Sequence, residues 1–78
     1  MKLSTCMNQN DFLKKVKQMC DRGMYVNIAC FSCGLIRVDL AGIKGERCRG
    51  DDEKGDCVEA LNDAINEWNK NQKGKRDV

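Results

Sequence analysis

An α+β fold follows from three observations. Apolar residues recur at helical steps of three and four near each end of the chain, two runs of alternating apolar residues lie between them, and the turn-forming pentapeptide CFSCG joins those runs. The 78 residues make one domain, 1–78, since chains under about 100 residues rarely divide into two cores. Below about 80 residues apolar burial barely offsets chain entropy, so a covalent or metal staple is expected, and the six cysteines are its candidates.

From Asn8 to Arg22, Phe12, Leu13, Val16, Met19 and Cys20 fall on one side of a helix. Asn8 or Asn10 caps its start, Gly23 ends it in the left-handed conformation, and Lys14, Lys15 and Lys17 form a solvated outer face. Val26, Ile28 and Cys30 alternate within Met24 to Phe31, as do Ile36, Val38 and Leu40 within Leu35 to Ala41. Only Ser32, Cys33 and Gly34 intervene, which predicts an antiparallel hairpin with Gly34 at the position of positive φ. A third short strand is expected around Lys44 to Arg49, weakened by its glycines, and Gly50 to Asp56 reads as a charged loop. Asp56 is the expected N-cap of a second helix, with Glu59 completing a capping box and Val58, Leu61, Ile65 and Trp68 as its apolar stripe. That helix should fade near Asn71 and leave residues 72–78 as a disordered tail. Both helices are expected on one face of the sheet.

The cysteines carry the strongest chemical signal. Cys30 and Cys33, two residues apart and followed by Gly34, have the spacing of a zinc knuckle, where two thiolates reach one ion from the same side. Cys48 and Cys57 supply the second half of the expected site; the dipole at the start of helix two favours the thiolate at Cys57. Four thiolates and no histidine make a closed, structural zinc site. Two other readings stand beside it: a disulfide framework of a secreted protein, and a thioredoxin-like redox pair, which would want a helix rather than a strand after its cysteines. Cys20 is expected as a small core residue and Cys6 as a free or loosely packed thiol.

The net charge of +2 is too weak to announce a polyanion partner, and no apolar run approaches the roughly 18 residues of a membrane span. The N-terminus turns polar at once, so a soluble, intracellular protein is expected. With no histidine, no phosphate-cradling glycine loop and no carboxylate pair in an apolar setting, an enzyme is not expected. A nucleic-acid binder is the alternative, but the basic residues are split between helix one and the tail, and no aromatics are interleaved with them. A more informative pattern is acidic. Asp56, Glu59, Asp63 and Glu67 form one stripe along helix two, continued towards the N-terminus by Asp51, Asp52 and Glu53. Such a stripe serves either solubility or a basic protein partner; in the second case Asp52, Glu53, Asp56, Glu59, Asp63 and Glu67 are the expected contact residues.

CFSCG, Cys48 and the segment ALNDAINEWNK resemble the short phage-encoded restriction-alleviation proteins, where a CPxCG knuckle precedes an AIxxWN helix; here phenylalanine and serine stand between the cysteines. The length, the cysteine staple and the helix-hairpin-helix order also resemble small anti-CRISPR proteins that inhibit Cas9 of type II-A systems, among which is a zinc-coordinating member. The resemblance implies a non-catalytic, zinc-containing counter-defence inhibitor, acting in the cytoplasm of a bacterial host by binding a basic channel or lobe of a defence nuclease.

Overall fold

The computed structural model describes the backbone of residues 3–76 and the side chains of residues 3–71. Its elements are α1 (Gln9–Asp21), β1 (Tyr25–Cys30), β2 (Ile36–Ala41), β3 (Arg47–Asp52) and α2 (Cys57–Arg76). The strands form one antiparallel sheet in the order β1-β2-β3, so the expected α+β plan holds and includes the third strand.

Asn8 caps α1, its side-chain oxygen accepting from the Asp11 amide at 3.0 Å. Gly23 at φ 85° and Gly34 at φ 96° occupy the left-handed region expected of them. The stripe α1 buries is narrower than its sequence suggests. Phe12 and Met19 are buried and Val16 packs partly against the core, whereas Leu13 and Cys20 are exposed. Each of those two follows a buried residue and is turned from it by about 100° around the helix. Because α1 touches only one flank of the sheet, that rotation carries them into solvent.

β3 departs most from expectation. It begins later than Lys44 and runs through Gly50, Asp51 and Asp52, a stretch the sequence assigns to a loop. Gly50 faces α2, and a Cβ there would overlap the backbone of Ala60 and Ala64. The glycine that weakens a strand on propensity grounds is what lets α2 lie directly on β3.

Val38 and Leu40 on β2 point at α2, whose Leu61, Ile65 and Trp68 complete the centre of the core with Met19 from α1. Both helices therefore cover the same sheet face. Leu3 and Cys6 of the N-terminal segment are also buried, at 7% and 4% exposure. Cys6 is thus a core residue rather than a loose thiol; its Sγ donates to the Asn8 carbonyl at 3.2 Å, and burial raises its pKa.

The backbone of α2 continues beyond Asn71 to Arg76. Of the expected disordered tail, 72–78, the side chains and the whole of residues 77 and 78 lie outside the described residues. Among the described residues no helix is long and apolar enough to cross a membrane.

Candidate functional site

The four cysteines expected to share a zinc ion are held at separate places by the sheet register. Cys30 ends β1, and Cys33 lies in the exposed turn that follows, closed by the Phe31 amide on Leu35 O and the Gly34 amide on Phe31 O, both at 2.9 Å. Cys30 stands opposite Ile36, which in turn stands opposite Asp52, so this end of the sheet leads into α2. A Cβ on Gly55 would approach Gly34 O to 2.8 Å, which shows that the CFSCG turn and the loop before α2 lie against each other.

Cys48 belongs elsewhere. It pairs with Leu40, four positions back along β3 from Asp52, or about 13 Å at roughly 3.3 Å per residue. Its Sγ donates to the Ala64 carbonyl at 3.2 Å, and burial, reinforced by Glu67 and Asp39, pushes the thiol up to about 11. Zinc requires thiolates that converge on one point, and this Sγ is turned to a helix carbonyl instead. Cys57 opens α2 and packs against the core. Among the described residues no group of three or more His, Cys, Asp or Glu side chains is gathered as a metal site requires. The four-cysteine set therefore does not fit a shared ion in this arrangement. The physical reason is β3: a loop from Gly50 would have let Cys48 fold back towards Cys57, but the strand extends to Asp52 and holds them apart.

Asp52, Glu53, Asp56, Glu59 and Asp63 lie along one margin, where β3 ends and the first turns of α2 begin, while Glu67 lies about 15 Å further along the helix; the aspartates also serve the backbone. Asp56 is the N-cap, its Oδ1 accepting from the amides of Val58 at 2.9 Å and Glu59 at 3.3 Å. The reciprocal bond of the capping box comes from Asp52 rather than Glu59, since the Asp56 amide donates to Asp52 Oδ2 at 2.8 Å. Asp63 Oδ2 accepts from the Asp51 amide at 3.1 Å and so fastens α2 to the edge of β3. Glu67 lies 3.7 Å from Lys70. Glu53 and Glu59 are exposed, and neither side chain has a partner among the described residues.

The sheet face opposite the helices carries Arg37 and Asp39, the polar alternates of β2, joined there by residues of β3. Arg37 bonds Asp51 and Arg49 bonds Asp39, each at 2.8 Å, and Arg37 also stands 5.2 Å from the Phe31 ring centroid. Arg47 lies on the same face without an ion pair among the described residues, beside Tyr25 and an open depression of about 440 Å³. The signal was present in the sequence as the polar alternates of β2 and β3, but it became a surface only once β3 was a strand.

No family model matches the chain, and neither the curated proteins nor the solved structures contain a match.

Proposed function

We propose that the protein acts by stoichiometric binding, as a cytoplasmic inhibitor of a bacterial defence nuclease, with Cas9 the first candidate by resemblance. The observation that carries this reading is the acidic margin at the start of α2. There Glu53 and Glu59 stand exposed and uncompensated beside Asp52, Asp56 and Asp63. Such a margin is complementary to a basic groove built for nucleic acid and would steer association with it. Asp52, Asp56 and Glu59 line an open depression with Lys54, and the aspartates accept from backbone amides, an arrangement that suits docking better than acid-base chemistry.

Zinc is left out of this reading because the four thiols are not gathered. Elemental analysis that found one zinc per chain with four protected thiols would restore the four-cysteine staple.

The clean test of the acidic margin is Glu53→Lys combined with Glu59→Lys, because neither side chain caps a backbone group. In a Cas9 cleavage assay the pair should lower inhibitory potency by about tenfold or more while leaving the thermal melt in place. Unchanged inhibition would return the margin to a solubility role, and no inhibition by the parent protein would remove Cas9 as the target.

One observation favours a second reading, a small nucleic-acid-binding accessory protein: Arg47 and Tyr25 share the open sheet face. Binding to bare DNA or RNA that weakens steeply with salt would support it, and absence of binding would leave the protein-partner reading alone.

A further inference from the structure

The sheet has two edges, and the chain treats them differently. At the β3 edge the Asp63 carboxylate takes the Asp51 amide, and the strand itself carries Arg47, Arg49, Asp51 and Asp52. Charges and a covering group are the usual means of preventing a free edge from pairing with another strand. Among the described residues the β1 edge has neither. Tyr25–Cys30 reads YVNIAC and is followed by Phe31, with no charge and no proline. Three large exposed apolar side chains lie on this short stretch: Tyr25 at 60%, Ile28 at 43% and Phe31 at 42% exposure.

The hydrogen-bond phase of the hairpin says which backbone groups are left over. The Phe31 amide donates to Leu35 O, so the hydrogen-bonded pairs of β1 and β2 are Ala29 with Arg37, Asn27 with Asp39 and Tyr25 with Ala41. The amides and carbonyls of Val26, Ile28 and Cys30 therefore point away from β2, along the open edge.

We infer that this edge pairs with the same edge of a second copy, antiparallel, about a twofold axis at Ile28, joining two three-stranded sheets into one. The register follows from the residues. With Ile28 opposite its own copy, Val26 falls opposite Cys30, so the outward backbone groups of all three residues meet as hydrogen-bonded pairs. The same register sets Tyr25 opposite Phe31 on the outer face and Ile28 against Ile28 on the helix face, so each exposed apolar side chain of the strand meets another. No charge opposes a like charge. A second copy of β3 could not dock on the β3 edge in this way, because Asp63 already occupies it. The dimer would leave the acidic margin of each copy free at its outer ends, so this inference stands apart from the proposed function.

The test uses the full chain under reducing conditions, so that exposed cysteines do not join copies covalently. Sedimentation from micromolar to millimolar concentration should show a monomer-dimer equilibrium. Ile28→Lys, which sets two ammonium groups together at the axis, should raise its dissociation constant by about a hundredfold. Amide hydrogen exchange supplies a second readout that needs no substitution. Val26, Ile28 and Cys30 should gain protection as concentration rises, while Asn27 and Ala29, already bonded to β2, should not change. A chain that stays monomeric throughout overturns the inference and leaves the edge to a strand of another protein. A dimer indifferent to Ile28→Lys, or one without the alternating protection, overturns it as well.

Discussion

The side chain of Asn69 holds Leu3 by both backbone groups, accepting from the Leu3 amide at 2.8 Å and donating to the Leu3 carbonyl at 2.9 Å. Two turns earlier on α2, Asn62 treats Cys6 in the same way, at 2.6 Å and 2.8 Å. The spacings agree: seven helical residues rise about 10.5 Å, and three extended residues cover about 10 Å. Each asparagine amide thus stands in for the peptide group of a neighbouring strand. The N-terminal segment is strapped along α2 with Leu3 and Cys6 turned into the core.

Removing either clasp should be costly, because it strands an amide and a carbonyl that are partly buried. Asn62→Ala and Asn69→Ala should each lower stability by about 1–3 kcal/mol in urea unfolding. Asn69→Asp keeps the acceptor for the Leu3 amide and loses the donor to its carbonyl, so it should fall between the parent and Asn69→Ala.

Gly50→Ala should be among the most damaging single-methyl changes in the chain. The added carbon would meet the backbone of Ala60 and Ala64, which has no flexible end to move aside. The expected loss is about 3 kcal/mol or more, visible as a drop in Tm, with α2 displaced from β3. A variant that melted like the parent would show that the helix is not seated on the strand.

The thiols should divide by environment. Cys20, Cys30 and Cys33 are exposed and should react rapidly with a disulfide reagent at neutral pH. Cys48, pushed up to about 11, should react only on unfolding. The sign of the pH dependence follows from the same shift. A folded pKa raised above the ordinary value of 9.0 means that the folded state holds its proton more tightly. Cys48 therefore contributes stability in full below pH 9, and that contribution is lost as the pH climbs towards 11. Denaturation midpoints measured across this window should fall for the parent and fall less for Cys48→Ala.

On the acid side, Asp39 is held below its ordinary value chiefly by its bond to Arg49, with Asn27 adding a second. A depressed carboxylate contributes stability above its unfolded pKa of about 3.9, and that contribution is lost as the pH falls through the lower folded value. The pair faces solvent, so the effect should be small and should vanish in molar salt. Asp39→Asn should flatten the low-pH decline in Tm at low ionic strength and leave it unchanged at high.

The hairpin and both helices were legible because Val26, Ile28, Ile36, Val38 and Leu40 alternate, Val58, Leu61, Ile65 and Trp68 step by three and four, and Asn8 and Asp56 announce their caps. β3 was legible only in part, since its Gly50 reports the proximity of α2, a tertiary fact that no local pattern carries. The four cysteines are not gathered among the described residues for the same reason: the spacing of Cys48 from Cys57 gives a separation in sequence, while the strand between them fixes the separation in space. The acidic stripe was read correctly as a row, but Asp52, Asp56 and Asp63 each have a backbone group to satisfy, which sequence spacing does not reveal. No local pattern marks Asn62 and Asn69, because their partners lie 56 and 66 positions away.

That far end has a consequence for how the protein is made. Leu3 and Cys6 leave the ribosome well before the asparagines that receive them, which follow 66 and 56 positions later. The clasps therefore close only once Asn62 and Asn69 have both emerged, and a nascent chain arrested before Trp68 should stay open to protease between Leu3 and the sheet.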